Sequence, residues 1–282
     1  MKLIKPSFEI IEQAPGIQGV KKQIERAGRT CYKSEDKITN TSCEEFVNRM
    51  VNSGHGAMLE HGTVYLQIPF KYIDVSYKLE IPIIEDLVFK YTENKYSKCV
   101  TINHVAYITT NYRVFVENGW LDDLQYQCEP TEYHEKRITV KFILPISISR
   151  EFIRHRTASF AEQSTRYCNY SKSKFGEELT FITPYWYDNV DSYTKNEFDR
   201  GLQYAEGYYM FMVDKGMKPQ EAREILPLCT KTELVMTGFV SDWEHFFKLR
   251  CHSTAHPDAR ALAIPLKDKF IELKYIDDDS IS

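Results

Sequence analysis

Arg154–Tyr167, RHRTASFAEQSTRY, sets three arginines and a histidine beside a single carboxylate, Glu162, and a run of short hydroxyls, with no lysine. A solvated helix face usually mixes Lys with Glu four residues apart, because such pairs offset one another cheaply. This stretch does not. Arginine's planar fork suits phosphate and carboxylate oxygens two at a time. Glu162 alone does not neutralise Arg154, Arg156 and Arg166, and burying unpaired cations is costly, so the segment calls for an external anion. A salt-bridge network or a subunit interface is the competing reading for any one of these arginines.

The same stretch sets the local fold. Pro145 ends a strand, ISISREFIRHR (146–156) reads as the following helix with Phe152 and Ile153 inward, and Glu151, Arg154 and His155 fall along one edge. The hydroxyl-rich remainder leaves helical geometry. Ser164, Thr165 and Arg166 are then expected to present backbone N–H groups and hydroxyls together, as a phosphate cradle.

Working outward, Ile17, Val20 and Ile24 have helical spacing, with Gly28 expected to stop that helix. Ser42 and Glu45 form a capping-box signal for a helix whose apolar face is Phe46, Val47, Met50 and Val51. Val64–Ile68, Ile138–Leu144 and HVAYITT (104–110) read as strands, the last followed by a short helix from Asn111. Residues 71–137 are otherwise Tyr-rich and irregular, with no chemistry placed there. From about Asn196 onward the signals are mostly helical: Phe198, Leu202, Ala205, Tyr209 and Met212 make one stripe, and Pro219 sits at a helix start. The expectation is α+β, mixed α/β: a small central sheet flanked by helices, a helical C-terminal half, and one domain over 1–282 elaborated at about 71–137.

Net charge is −4 over 282 residues, so no global positive field draws the chain to nucleic acid or an anionic membrane, and any anion site is local. Seven scattered cysteines with no C-x-x-C pair point to reduced thiols in the cytoplasm and to no zinc site. MKLIKPSFEI lacks the apolar run of a signal peptide, no stretch has the length of a membrane span, and no G-x-G-x-x-G follows a strand.

With Arg154, His155, Arg156, Ser159, Glu162, Ser164 and Arg166 in place, the segment resembles the signature R-H-R-x-x-S-x-N-E-x-S-x-R of the flavin-dependent thymidylate synthases, with Ala161 at the Asn position. GRTCYKSE (28–35), GHGAMLEHGTVYLQI (54–68), YCNYSKSKFG (167–176), AREILP (222–227) and WEHFFKLRCHSTAHPDAR (243–260) are similar to further motifs of that family. The resemblance implies an enzyme that methylates dUMP at C5 to dTMP. Methylenetetrahydrofolate would be the carbon donor, FAD reduced by NADPH the hydride source, and the enzyme a homotetramer with active sites at subunit junctions. It places Arg154, Ser164, Thr165, Arg166 and Arg223 around the dUMP phosphate and sugar, with Glu151, Glu162 and Gln163 close by. Arg250 stands against the uracil as the catalytic cation. His61, Thr63, Arg154, His155, Arg156 and Glu162 fall at FAD positions and His245 at one lining the flavin ring. Ser164 binds substrate and is not a nucleophile, since no base accompanies it.

Three departures accompany the resemblance. Phe239 and Ser241 stand where an Asn and an Arg bind FAD, Leu228 where a polar residue is common, and Ala161 in the signature. They keep two alternatives open: a dUMP hydroxymethylase of the same family, in which water captures the C5-methylene intermediate, and a non-catalytic dUMP-binding relative.

Overall fold

The computed structural model describes residues 1–69, 84–172, 176 and 178–277. In chain order the strands are β1 (Lys2–Ile4), β2 (Ser7–Ile11), β3 (Thr63–Pro69), β4 (Lys98–Ile102), β5 (Val105–Asn111), β6 (Arg137–Pro145), β7 (Ser159–Glu162), β8 (Thr180–Ile182) and β9 (Lys231–Phe239). The helices are α1 (Gly16–Tyr32), α2 (Ser42–Asn52), α3 (Gly56–Leu59), α4 (Ile84–Thr92), α5 (Tyr112–Asn118), α6 (Ile146–Phe152), α7 (Ser192–Asp214), α8 (Pro219–Ala222), α9 (Val240–Arg250) and α10 (Pro257–Glu272).

The alternation of RITVKFILP makes β6 a strand with two working faces, and it lies inside an antiparallel four-stranded sheet of order β2-β6-β9-β7. One face carries Val140, Phe142, Leu144, Leu234 and Met236 against Ile148 and Phe152 of α6, Trp243, Phe246 and Phe247 of α9, and Leu262, Leu266 and Phe270 of α10. On the other face Ala161 and Val235 meet Ala27 of α1. The mixed α/β expectation holds, in three layers. A second antiparallel sheet, β3-β5-β4, packs Val64, Leu66, Ala106 and Ile108 against Val20 and Ile24 of α1 and Phe46 of α2. A parallel pair, β1-β8, adjoins the cluster of Leu202 and Tyr209 on α7.

Several expectations are corrected. Gly28 does not stop α1; it lies inside the helix, where an added Cβ would come within 2.5 Å of the Phe46 ring, so glycine there serves close packing. Ser42 forms no capping box. Its hydroxyl donates to the buried Glu25 carboxylate at 2.8 Å, and Val51 faces solvent. The helix of Ile146 ends at Phe152, leaving Ile153 exposed and Arg154–Thr157 in a turn. Besides the expected strand and helix on either side of Asn111, residues 84–137 carry α4 and β4 instead of irregular chain, while 70–83 lie outside the described residues. The C-terminal half contains β9, an inner strand of the main sheet. The strands over 64–68 and 138–144, the one before Asn111, and the helix start at Pro219 are where the sequence placed them.

Candidate functional site

The signature segment descends from α6, turns, and returns as β7, and its side chains divide among three places. The first is a cavity of about 330 Å³ lined by Ser149 and Arg150 of α6, Glu162, Gln163, Ser164, Thr165 and Arg223. β7 delivers the signature residues to its rim by alternation: Ala161 faces α1, and Glu162 faces α6. Arg223, just past α8, donates from Nη1 to Thr165 Oγ1 at 3.1 Å. Burial lifts the Glu162 carboxyl above its ordinary value, although the Ser149 and Thr232 hydroxyls and the Arg150 charge oppose that rise.

The expected backbone cradle is only partly available. The Ser164 N–H donates to the Cys31 carbonyl at 2.9 Å and the Arg166 N–H to Ser164 Oγ at 3.3 Å, so both are already spent on holding the loop. Hydroxyls and guanidinium groups are what remain. Arg154, Arg156 and Arg166 are exposed, and among the described residues none forms an ion pair.

The second place joins α6 to the C-terminal turn of α9. Arg250 donates from Nη1 to Glu151 Oε2 at 3.1 Å, from Nη2 to the Glu151 carbonyl at 2.7 Å, and from Nε to His155 Nε2 at 3.0 Å. His155 is buried, with the His245 ring 5.8 Å away edge-on. Burial, then the charges of Arg250 and His245, pushes its imidazole down to about 4, so it is a neutral acceptor at physiological pH. The flanking Arg154 and Arg156 are exposed. Glu151 is committed to Arg250 and does not line the cavity.

The third place lies under the α1 face of the main sheet. His61 is fully enclosed, with Nδ1 2.8 Å from Thr237 Oγ1, and burial and the Arg137 charge push it down to about 3. Thr63 is buried too: its N–H and C=O are both bonded to Gln13 at 2.8 Å, and its hydroxyl accepts from Arg137. His61 is enclosed within the chain, whereas Thr63 and Arg137 line a second cavity of about 230 Å³ together with Gln13, Tyr65 and Thr139. Sequence reasoning missed Arg137, a buried guanidinium that reaches the Glu60 carbonyl at 2.9 Å and has no carboxylate partner among the described residues. The period of β6, which puts Arg137 on the face of Thr139, was the available signal. Arg150 was also missed, as was Lys231, which is bonded to Gln163 Oε1 at 3.2 Å.

The chain matches the family model described as thymidylate synthase complementing protein over residues 88–273. It belongs to this family. Among similar curated proteins, the flavin-dependent thymidylate synthase of Geobacter sulfurreducens is 31% identical over 120 residues, covering 42% of this chain and 49% of that one. The enzyme of the same name from Synechocystis is 28% identical over 142 residues, covering 48% and 66%. The chain thus spans about half the length of the curated relatives it matches. A solved UMP/dUMP methylase from Streptomyces cacaoi bound with 5-Br dUMP aligns over 97% of this chain and 93% of its own, at TM-score 0.47 and 16% identity.

Three of the departures of this chain from the expected motifs, Ala161, Phe239 and Ser241, have structural reasons. Ala161 is a packing residue against α1. Phe239 is buried beneath Lys98, 4.8 Å from its ring, and Arg137, 5.5 Å away. Ser241 accepts from Lys98 Nζ at 2.6 Å and donates its N–H to Glu135 at 3.0 Å, and Lys98 and Glu135 pair at 2.6 Å. The first turn of α9 is therefore engaged by side chains from the 84–137 segment, with Ser241 still exposed. Leu228 is exposed, and nothing in the structure explains its change.

Proposed function

We propose that the protein is a flavin-dependent thymidylate synthase, methylating dUMP at C5 to dTMP with methylenetetrahydrofolate as carbon donor, FAD as cofactor and NADPH as reductant. The observation that carries this reading is the cavity of Glu162–Thr165 and Arg223, beside exposed arginines that the protein's own acids leave unmatched. A nucleotide phosphate supplies the charge they lack, with charge-assisted bonds from Arg223 and from the Ser164 and Thr165 hydroxyls. The named activity of the similar curated enzymes supports the same reaction.

Arg250 is built for the pyrimidine. Three of its N–H groups are held by Glu151 and His155, which fixes the guanidinium plane and leaves two donors free. A cation held in advance meets charge developing on a uracil ring without reorganisation. The fit to FAD divides. Arg154, Arg156 and His245 are exposed donors suited to hold it, Thr63 lines a cavity, and it would supply the hydride, whereas His61 is enclosed and Ser241 at the start of α9 is engaged by Lys98 and Glu135. The family resemblance extends the reading to a homotetramer in the cytoplasm with sites completed across subunits.

The engagement of the α9 turn by Lys98 and Glu135 favours a second reading, a relative that makes hydroxymethyl-dUMP or binds dUMP without turnover. Incubation of the purified protein with C5-tritiated dUMP, methylenetetrahydrofolate and NADPH tests the proposal. A yellow protein that releases tritium supports the enzyme; a colourless one that binds dUMP and releases none supports the binder.

A further inference from the structure

Next to the anion cavity the molecule buries one carboxylate among three ammonium groups. Glu233 on β9 is 3% exposed. Lys33, just past α1, reaches its Oε1 at 2.6 Å, Lys141 of β6 reaches Oε2 at 2.6 Å, and Lys231 bonds Oε1 from the same face of β9. Glu35 stands at the edge, 3.4 Å from Lys33 and 3.8 Å from Lys141. Lys231 differs from its neighbours in one respect. Its Nζ also lies 3.2 Å from Gln163 Oε1, and Gln163 is both buried and part of the cavity wall.

An ammonium group has three donors and no acceptor, so the amide end that faces it is the oxygen. The amino end of Gln163 is thereby turned away from Lys231, and it bonds no other group among the described residues. The backbone of Gln163 is held as firmly, its N–H donating to the Glu233 carbonyl at 2.8 Å and its carbonyl accepting from Thr232 Oγ1 at 3.4 Å. Without Lys231 the amide is free to turn over and offer an acceptor to the cavity, where it would repel an anion.

We propose that Lys231 is a positioning residue that fixes Gln163 as a donor, so that the cavity takes the phosphate of a nucleoside monophosphate and discriminates against the bare nucleoside. The inference rests on the reading of this cavity as the nucleotide site. Its wall then presents Gln163 NH₂, the Ser164 and Thr165 hydroxyls, and the Arg150 and Arg223 guanidinium groups, with Glu162 as the one acceptor side chain that is charged when ionised.

The test compares full-length protein with Lys231→Met, Lys231→Arg and Lys33→Met, by calorimetric binding of dUMP and of inorganic phosphate and by KM and kcat for dUMP. Lys231→Met leaves Glu233 paired with Lys33 and Lys141, so the fold is retained, which a thermal midpoint checks. It weakens both ligands about tenfold, the loss expected for one hydrogen bond to a charged group, and raises KM with kcat little changed. Lys231→Arg keeps a donor and restores binding, and Lys33→Met, which does not touch Gln163, binds as the wild type. Wild-type affinity in Lys231→Met, equal losses in Lys33→Met, or no rescue by arginine overturns the inference. If the wild type shows this binding pattern yet forms no dTMP, the synthase reading falls and the positioning role stands. If it binds neither dUMP nor phosphate, the positioning role falls with the cavity.

Discussion

Arg250 and Arg166 illustrate how differently two cations of one set are held. Arg250 is fixed by Glu151 and His155, whereas Arg166 is exposed, its guanidinium resting over the Tyr167 ring at 5.2 Å. Arg250→Ala should leave dUMP binding measurable and lower kcat by about 10²–10³, the range for losing one pre-placed donor at a developing charge. Arg166→Ala should instead raise the dissociation constant about tenfold with kcat largely kept. Equal, small effects in steady-state kinetics contradict the assigned roles. The buried histidines give a second prediction. His155 and His61 titrate at about 4 and about 3 against an ordinary 6.5, so below pH 6.5 the unfolded chain binds protons that the folded chain refuses. Stability is therefore full above pH 6.5 and lost as pH falls toward 4, by at most about 1.4 kcal/mol per pH unit for each histidine. Urea midpoints should drop over that window and drop less in His155→Gln; equal slopes in the two proteins contradict the assignment. At this scale the sequence showed which residues carry charge but not which are already spoken for. The pairing of Glu151 with Arg250, ninety-nine positions apart, and the enclosure of His61 are tertiary facts.

Helices and strands followed their local chemistry wherever one face met the core and the other met solvent. β3 and β6 were legible from alternation, and α5 from the Asn111 cap, whose side chain accepts from the Val114 N–H. β9 was not, because it is buried along nearly its whole length between β6 and β7, and its Lys231 and Glu233 break the apolar run that marks an inner strand. The end of α1 was misread because Gly28 serves close packing against Phe46, a tertiary contact, instead of ending the helix. Gly28→Ala tests that packing. Alanine's higher helix propensity should be outweighed by its Cβ meeting Phe46, giving a net loss of about 1–3 kcal/mol in chemical denaturation. A more stable variant shows that Phe46 yields without cost.

Taken whole, one chain builds its phosphate cavity on Ser149 and Arg150 of α6 and its Arg250 cluster on the next residue, Glu151, and side chains of the 84–137 segment engage the first turn of α9. If subunits complete each other's sites, Arg166→Ala and Arg250→Ala proteins, the first impaired at low dUMP and the second in turnover, should regain a fraction of activity at low dUMP when unfolded together and refolded as a mixture. No recovery in the mixture places both residues in a site served by a single chain. The account as a whole turns on the product. A mass spectrum of the nucleotide formed from dUMP, methylenetetrahydrofolate and NADPH should show dTMP; hydroxymethyl-dUMP as the main species, or dUMP returned unchanged by folded protein that binds it, would contradict the assignment.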